Sequence, residues 1–282
     1  MLSIRTMTAD DIAVGDRLRA AARWNQTVDD WRRFLELEPD GCFLAEWDGR
    51  PAGTTVACTF QSVGWVAMVQ VDASLRGHGI GTRLMEHALA WLDQRGVPSV
   101  RLDATPLGRP IYLKLGFIDE YELVRMEGVA DLARLSTVPT ALTPALSRKR
   151  EREELESLGR LDQQVSGTPR ARLLQALLRQ QPESVRASDE AYMMFRPGAR
   201  AVQIGPGVAL RPEAGQALAD WALSQCDGRP VFIDIPTVNR PAMEWARSRG
   251  LVEQRRLMRM CRGPRVADCP EWMWASSGPE MG

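Results

Sequence analysis

Histidine is nearly absent from this chain: two residues, His78 and His87, occur among 282. A site built from several histidines around a metal is therefore excluded, and with it many hydrolytic mechanisms. The five cysteines, Cys42, Cys58, Cys226, Cys261 and Cys269, are odd in number and scattered. They lack the short paired spacings of metal sites and disulfide frameworks, so they read as buried thiols in a reducing compartment. No apolar run approaches about 18 residues, and the start, MLSIRTMTADD, carries no apolar stretch of the signal-peptide kind. The expectation is a cytoplasmic protein with no membrane partner. Excess charge is missing too: 36 basic and 36 acidic residues give a formal net charge of zero, which argues against nucleic acid as a partner.

What is present suits two cores of about 130 residues each. In the first half strand and helix signals alternate. Leu2 to Met7 reads as a strand, and Thr8-Ala9-Asp10-Asp11 as the cap of a helix reaching about Arg23. A second helix covers about Val28 to Leu37. Cys42–Trp47 and Pro51–Phe60, joined at Asp48-Gly49, read as a hairpin. Trp65 to Val71 is a nearly all-apolar strand, and a helix from Gly81 buries Leu84, Met85, Ala88, Leu89, Trp91 and Leu92. Val100 to Leu102 reads as a strand lying beside Val69 to Val71, Pro110 to Leu115 as a short helix, and Tyr121 to Met126 as the closing strand.

The second half repeats this order. Val231-Phe232-Ile233-Asp234 echoes Val100-Arg101-Leu102-Asp103 and Asn239-Arg240-Pro241 echoes Gly108-Arg109-Pro110, both at an offset of 131 (234 − 103 and 240 − 109). Gly250 then matches Gly116, and Arg259-Met260 matches Arg125-Met126, at an offset of 134, which predicts three residues added in the short helix. We expect a domain over 1–130, a linker over 131–147 and a second copy over 148–282. The run from Arg148 to Glu154 has mixed signs and reads as a solvated helix face that opens the second copy, with a nucleic-acid patch as the alternative that its matched glutamates weaken.

The chemistry concentrates in Arg76-Gly77-His78-Gly79-Ile80-Gly81-Thr82. Glycines at 77, 79 and 81 free the backbone between a buried strand and a helix, so successive N–H groups can converge on one anionic group at the positive end of a helix dipole. A plain structural turn is the alternative. The dinucleotide fingerprint fails, because the sixth position counted from Gly77 or Gly79 is Thr82 or Leu84, and no Gly-Lys-Ser or Gly-Lys-Thr is present for a P-loop. In the second copy the corresponding stretch is taken to be Ile204 to Pro212, where Pro206 and Pro212 remove donors.

The first half resembles the GNAT superfamily of acyl-CoA-dependent N-acyltransferases. Its signature [QR]-x-x-G-x-[GA] reads Arg76-x-x-Gly79-x-Gly81 after Val69-x-Val71-Asp72, and a second signature reads Tyr112-Leu113-Lys114-Leu115-Gly116-Phe117. With the repeat, the whole chain is similar to tandem GNAT proteins with a degenerate C-terminal copy. The resemblance implies an α/β fold of two GNAT-like domains, each a mixed, mostly antiparallel sheet flanked by helices. It implies acetyl-CoA as co-substrate and no metal. Backbone groups of Val69 and Val71 would pair with the pantetheine arm, N–H groups from Arg76 to Thr82 (including His78 and Ile80) would hold the pyrophosphate, and Tyr112 would face the thioester sulfur.

Two departures stand out. Thr105 lies where many members carry an asparagine, and no carboxylate occurs between Trp65 and Val71, where many place a glutamate as general base. Asp103 is a candidate base, with a strand-end cap as its other reading and water as the other route for the proton. Trp24 and Asn25, beside Gln26, fall where the family builds its acceptor pocket, although Trp24 suits ordinary core equally well. The reaction implied is acetyl or short-acyl transfer to an amine of a small molecule or peptide. An acyl-CoA sensor without turnover, or an assembly protein, is the alternative.

Overall fold

The computed structural model describes residues 1–134 and 151–282. Most of the segment read as a linker, and residues 148–150 of the mixed-charge run, lie outside the described residues. The chain divides into two compact units, one formed by Met1–Ile118 with Met260–Arg265, the other by Asp119–Arg259 with Val266–Gly282.

In the first unit, strand β1 (Leu2–Thr6) leads through a single 3-10 turn at Ala9–Asp11 into helices α1 (Ile12–Ala21) and α2 (Val28–Leu37). A capping box starts α2: the Thr27 N–H donates 2.6 Å to Asp30, whose carboxylate also takes the Thr27 hydroxyl at 3.0 Å. Strands β2 (Cys42–Trp47) and β3 (Arg50–Phe60) form the expected hairpin. Asp48 (φ 50°) and Gly49 (φ 75°) make its turn with two left-handed residues, the geometry that Asp-Gly favours. Then follow β4 (Val63–Val71), α3 (Ile80–Gln94), β5 (Ser99–Ala104) and α4 (Arg109–Lys114). The six apolar residues assigned to the core face of α3 are all buried. β1 to β4 are antiparallel neighbours, and β5 joins β4 in parallel.

The expected closing strand is longer than Tyr121–Met126 and serves elsewhere. β6 (Ile118–Val129) belongs to the second unit from Asp119 onward, where it pairs antiparallel with β10 (Pro230–Pro236). The place beside β5 goes to the last residues of β11 (Val252–Arg262). The Ser99 hydroxyl donates 2.6 Å to the Pro264 carbonyl there, and Arg262 pairs with Asp93 at 2.9 Å.

In the second unit, α5 (Glu151–Ser166), α6 (Ala171–Gln180), β7 (Val185–Ala187), β8 (Ala191–Arg196), β9 (Val202–Ala209), α7 (Pro212–Ser224), β10, α8 (Arg240–Ser248) and β11 repeat the order of the first. Nine residues in α8 against six in α4 account for the three-residue shift in the repeat. The core gathers Trp221, Trp245 and Trp274 with Ile233 and Leu218. It also encloses an ion pair, since Arg125 donates to both carboxylate oxygens of Asp234 at 2.8 and 2.7 Å. No described helix is long and apolar enough to cross a membrane. Four cysteines are buried and Cys269 is half-buried.

Candidate active site

The site begins with an irregularity in β4. Val56 faces Ala67 and Thr54 faces Gln70, so three steps on β4 match two on β3. The extra residue is taken up at Met68, which adopts φ +53°. Threonines on β3 fix the bulge: Thr54 donates to the Met68 carbonyl at 3.0 Å and Thr55 to the Ala67 carbonyl at 3.3 Å.

Bending β4 here parts it from β5. The two pair only at Val63–Ser99, Gly64–Val100 and Trp65–Arg101. The expectation that Val100–Leu102 lies beside Val69–Val71 is thus corrected, because the strands have separated before that point. Val69 and Val71, both half-buried, line one edge of the opening, and Asp103 stands on the other strand past its last pair. Backbone groups in such a gap need partners, and an extended, amide-bearing ligand arm would supply them.

At its far end β4 runs into the glycine loop. Asp72 closes the strand by accepting from the Ser74 N–H (3.1 Å) and hydroxyl (2.7 Å) and from Arg17 (3.1 Å). Those hydrogen bonds, Ser74's first, hold its carboxyl below the usual range. Gly77 (φ +85°) and Gly79 (φ +76°, the N-cap of α3) are left-handed, and a Cβ built on either would meet nothing within 4 Å. Both positions thus border space left open by the described residues at the α3 N-terminus, and the residues fit a bound phosphate group. Arg76 is exposed beside it, Ile80 begins the helix and is buried, and Gly81 and Thr82 follow in its first turn. The His78 ring turns back, with Nδ1 3.2 Å from the carbonyls of both Leu75 and Arg76, so that nitrogen carries the proton, and the ring lies 5.3 Å from that of Trp47.

Beyond β5, Thr105 organises the turn into α4, its carbonyl accepting from Gly108 and Arg109. Tyr112 packs against Gly108, where a Cβ would come within 2.8 Å of the ring, and its ring centroid is 6.1 Å from that of Phe117. Burial pushes its hydroxyl up to about 12, so it holds its proton across the neutral range. Trp24 and Asn25 occupy the α1–α2 connection as expected, Asn25 buried and Trp24 half-buried.

Sequence reasoning passed over Gln70. Its side chain is 6% exposed, yet neither amide atom finds a hydrogen-bond partner among the described residues. It is the one polar side chain in Val63–Val71, which was the available signal. The bulge had none, since Met68 is an unremarked residue in an apolar run.

Comparison with known proteins places relatives along most of the chain. The sequence model of the Acetyltransferase (GNAT) family matches residues 13–117, and that of a second Acetyltransferase (GNAT) domain matches residues 158–274. Holothin acyltransferase from Pseudoalteromonas sp. (strain SANK 73390) is 24% identical over 250 residues, covering 86% of this chain and 82% of that protein. A Pyrococcus horikoshii protein provisionally described as an acetyltransferase superposes with a TM-score of 0.84 at 25% identity, covering 100% of this chain and 96% of that one. A tandem GNAT protein from the clavulanic acid biosynthesis pathway shares the fold, with a TM-score of 0.63 at 15% identity over 94% of this chain and 100% of its own.

Proposed function

The chain belongs to the GNAT acetyltransferase family and carries two GNAT domains in tandem, and from that premise we propose that its first half, residues 1–130, moves an acetyl or short acyl group from acetyl-CoA to an amine by direct attack on the thioester. Residues 131–147 then act as the linker, and 148–282 as a copy without the reaction. The observation that carries the reading is the clear α3 N-terminus at the end of a strand that has parted from its neighbour.

The thioester supplies an acyl group already activated for transfer. Backbone groups of Val69 and Val71 orient its arm along the open edge of β4. N–H groups from Arg76 to Thr82, His78 and Ile80 among them, hold its pyrophosphate, where the helix dipole favours negative charge. Tyr112 keeps a proton on Oη that it can give to the departing sulfur, an effect worth on the order of a hundredfold in rate. Asp103 is the carboxylate on the β5 side of the opening and our candidate to accept the proton of the amine. Trp24 and Asn25 contribute to the acceptor pocket. The acceptor is an amine of a small molecule or peptide, and the reaction runs in the cytoplasm.

Thiol release from acetyl-CoA across a panel of amines tests this reading. Turnover with at least one amine, lost in Gly79→Pro, is expected. The missing carboxylate between Trp65 and Val71 favours a second reading, an acyl-CoA sensor, which binding without turnover would select. No binding at all would leave an assembly role.

A further inference from the structure

The second unit carries the same opening as the first. β9 and β10 pair in parallel only at Val202–Val231, Gln203–Phe232 and Ile204–Ile233. β9 also carries the same bulge, because Phe195 faces Ile204 while Met193 faces Gly207, again three steps against two. The left-handed residue within it is Gly205 (φ +127°), where β4 has Met68. Counting from the bulges, Gln70 corresponds to Gly207 and Val71 to Val208.

In this unit the opening is filled. Strand β12 (Met273–Ala275) pairs antiparallel with β9, placing Met273 opposite Val208 and Ala275 opposite Gly207. Its other side reaches β10, where the Ser276 N–H donates 2.8 Å to the Asp234 carbonyl. Asn239, which also caps α8, donates 2.9 Å from Nδ2 to the Met273 carbonyl. Trp274 is 2% exposed, with its ring 6.2 Å from that of Trp245.

Two glycines make room for this segment. A Cβ on Gly205 would fall 2.1 Å from the Ser276 carbonyl, and one on Gly215 of α7 would fall 2.0 Å from the Trp274 ring. The expected proline-interrupted cradle is also corrected: Ile204 to Pro206 lie within β9, and only Leu210 and Arg211 separate β9 from α7. The second unit therefore has no glycine loop before its helix, and its opening holds an extended peptide hydrogen-bonded on both sides.

We propose that residues 273–277 are a built-in occupant of the β9–β10 opening, an extended peptide seated where, among the described residues, no strand pairs into the equivalent opening of the first unit, and that this occupancy confines acyl-CoA to the first unit. The second half of this statement rests on the acyl-CoA reading of the first unit; the first half does not.

Amide hydrogen exchange on the full chain, with and without saturating acetyl-CoA, tests both. Residues 273–277 should exchange at least a hundredfold more slowly than an unstructured chain, unchanged by acetyl-CoA, while residues 76–82 slow when it is added. Unstructured-chain rates over 273–277, or protection lost on adding acetyl-CoA, would overturn the proposal. Protection over 273–277 with no response at 76–82 would instead reject the acyl-CoA reading and leave the occupant in place. Gly215→Ala gives an independent check, since alanine favours the helix but expels Trp274. Exchange over 273–277 should rise at least tenfold in that variant, and an unchanged rate counts against the occupant. Should it not fold, Val208→Cys with Met273→Cys decides: the pair links on oxidation if the register is as described, and failure to link refutes it.

Discussion

The Thr54 hydroxyl donates 3.0 Å to the Met68 carbonyl, so one side chain of β3 holds the left-handed residue that turns β4 away from β5. Thr54→Val keeps the shape and removes the donor, leaving a buried carbonyl short of a partner. The expected cost is about 1 kcal/mol of stability. Acetyl-CoA affinity should fall by about fivefold as the bulge loosens, since about 1 kcal/mol corresponds to a factor of that order. Calorimetric titration beside a thermal melt checks both, and an unaltered affinity would detach the bulge from cofactor binding.

Gln70 offers a test of opposite sign. Two buried amide atoms without partners among the described residues cost stability, so Gln70→Leu should raise the melting temperature by several degrees, reflecting about 1–3 kcal/mol. If the amide is kept for an acceptor or a bound water, the same variant should show at least a fivefold higher KM for the amine with unchanged acetyl-CoA affinity. Greater stability with unchanged kinetics would make the residue a packing defect only.

Tyr112→Phe removes a proton and leaves the ring on Gly108 and Phe117. Maximal rate should drop at least tenfold, with folding and acetyl-CoA affinity little changed. The pH dependence follows from the direction of the shift. Folded, the hydroxyl titrates near 12, and unfolded near 10, so its contribution to stability is complete below about pH 10 and is lost between about 10 and 12. Wild-type rates should accordingly show no loss of the acid below about pH 11, whereas an alkaline decline centred near 9 would point to a different proton donor.

Asp234→Asn removes the buried negative charge that faces Arg125, at an expected cost of about 3–5 kcal/mol in chemical unfolding. Burial works to raise the Asp234 carboxyl, but Arg125 prevails and holds it below the usual range. A depressed carboxylate stabilises above its unfolded value of about 3.9 and loses that effect as pH falls through the folded one. The gap between wild type and variant should then be flat from pH 7 to 5 and narrow only below about 4.

Much of this was legible in the letters. Asp48-Gly49 marked the hairpin because few other residues accept two successive left-handed conformations, and the glycines before Ile80 marked the clear helix terminus for the same reason. The internal repeat gave even the length of α8. The parting of β4 from β5 stayed hidden because it depends on one bulge whose residue, Met68, is apolar like its neighbours. The fate of Met273–Ala275 was equally hidden: three residues among prolines give no period, and only the opening they fill explains Trp274. Tyr121–Met126 was read as the strand that closes the first half, and its place beside β10 was not legible because an apolar alternation says that a strand pairs, not with which neighbour.

The placement of Met260–Arg265 in the first unit sets the order in which the protein can be finished. A ribosome delivers Met1–Ile118 first, yet the strand that flanks β5 emerges only after nearly all of the second unit has been made. The half that starts earliest is completed last, and until then the edge of β5 is bare to other chains. Cutting between 135 and 150 would likewise release no self-sufficient half, since each unit owns residues from both sides of the cut.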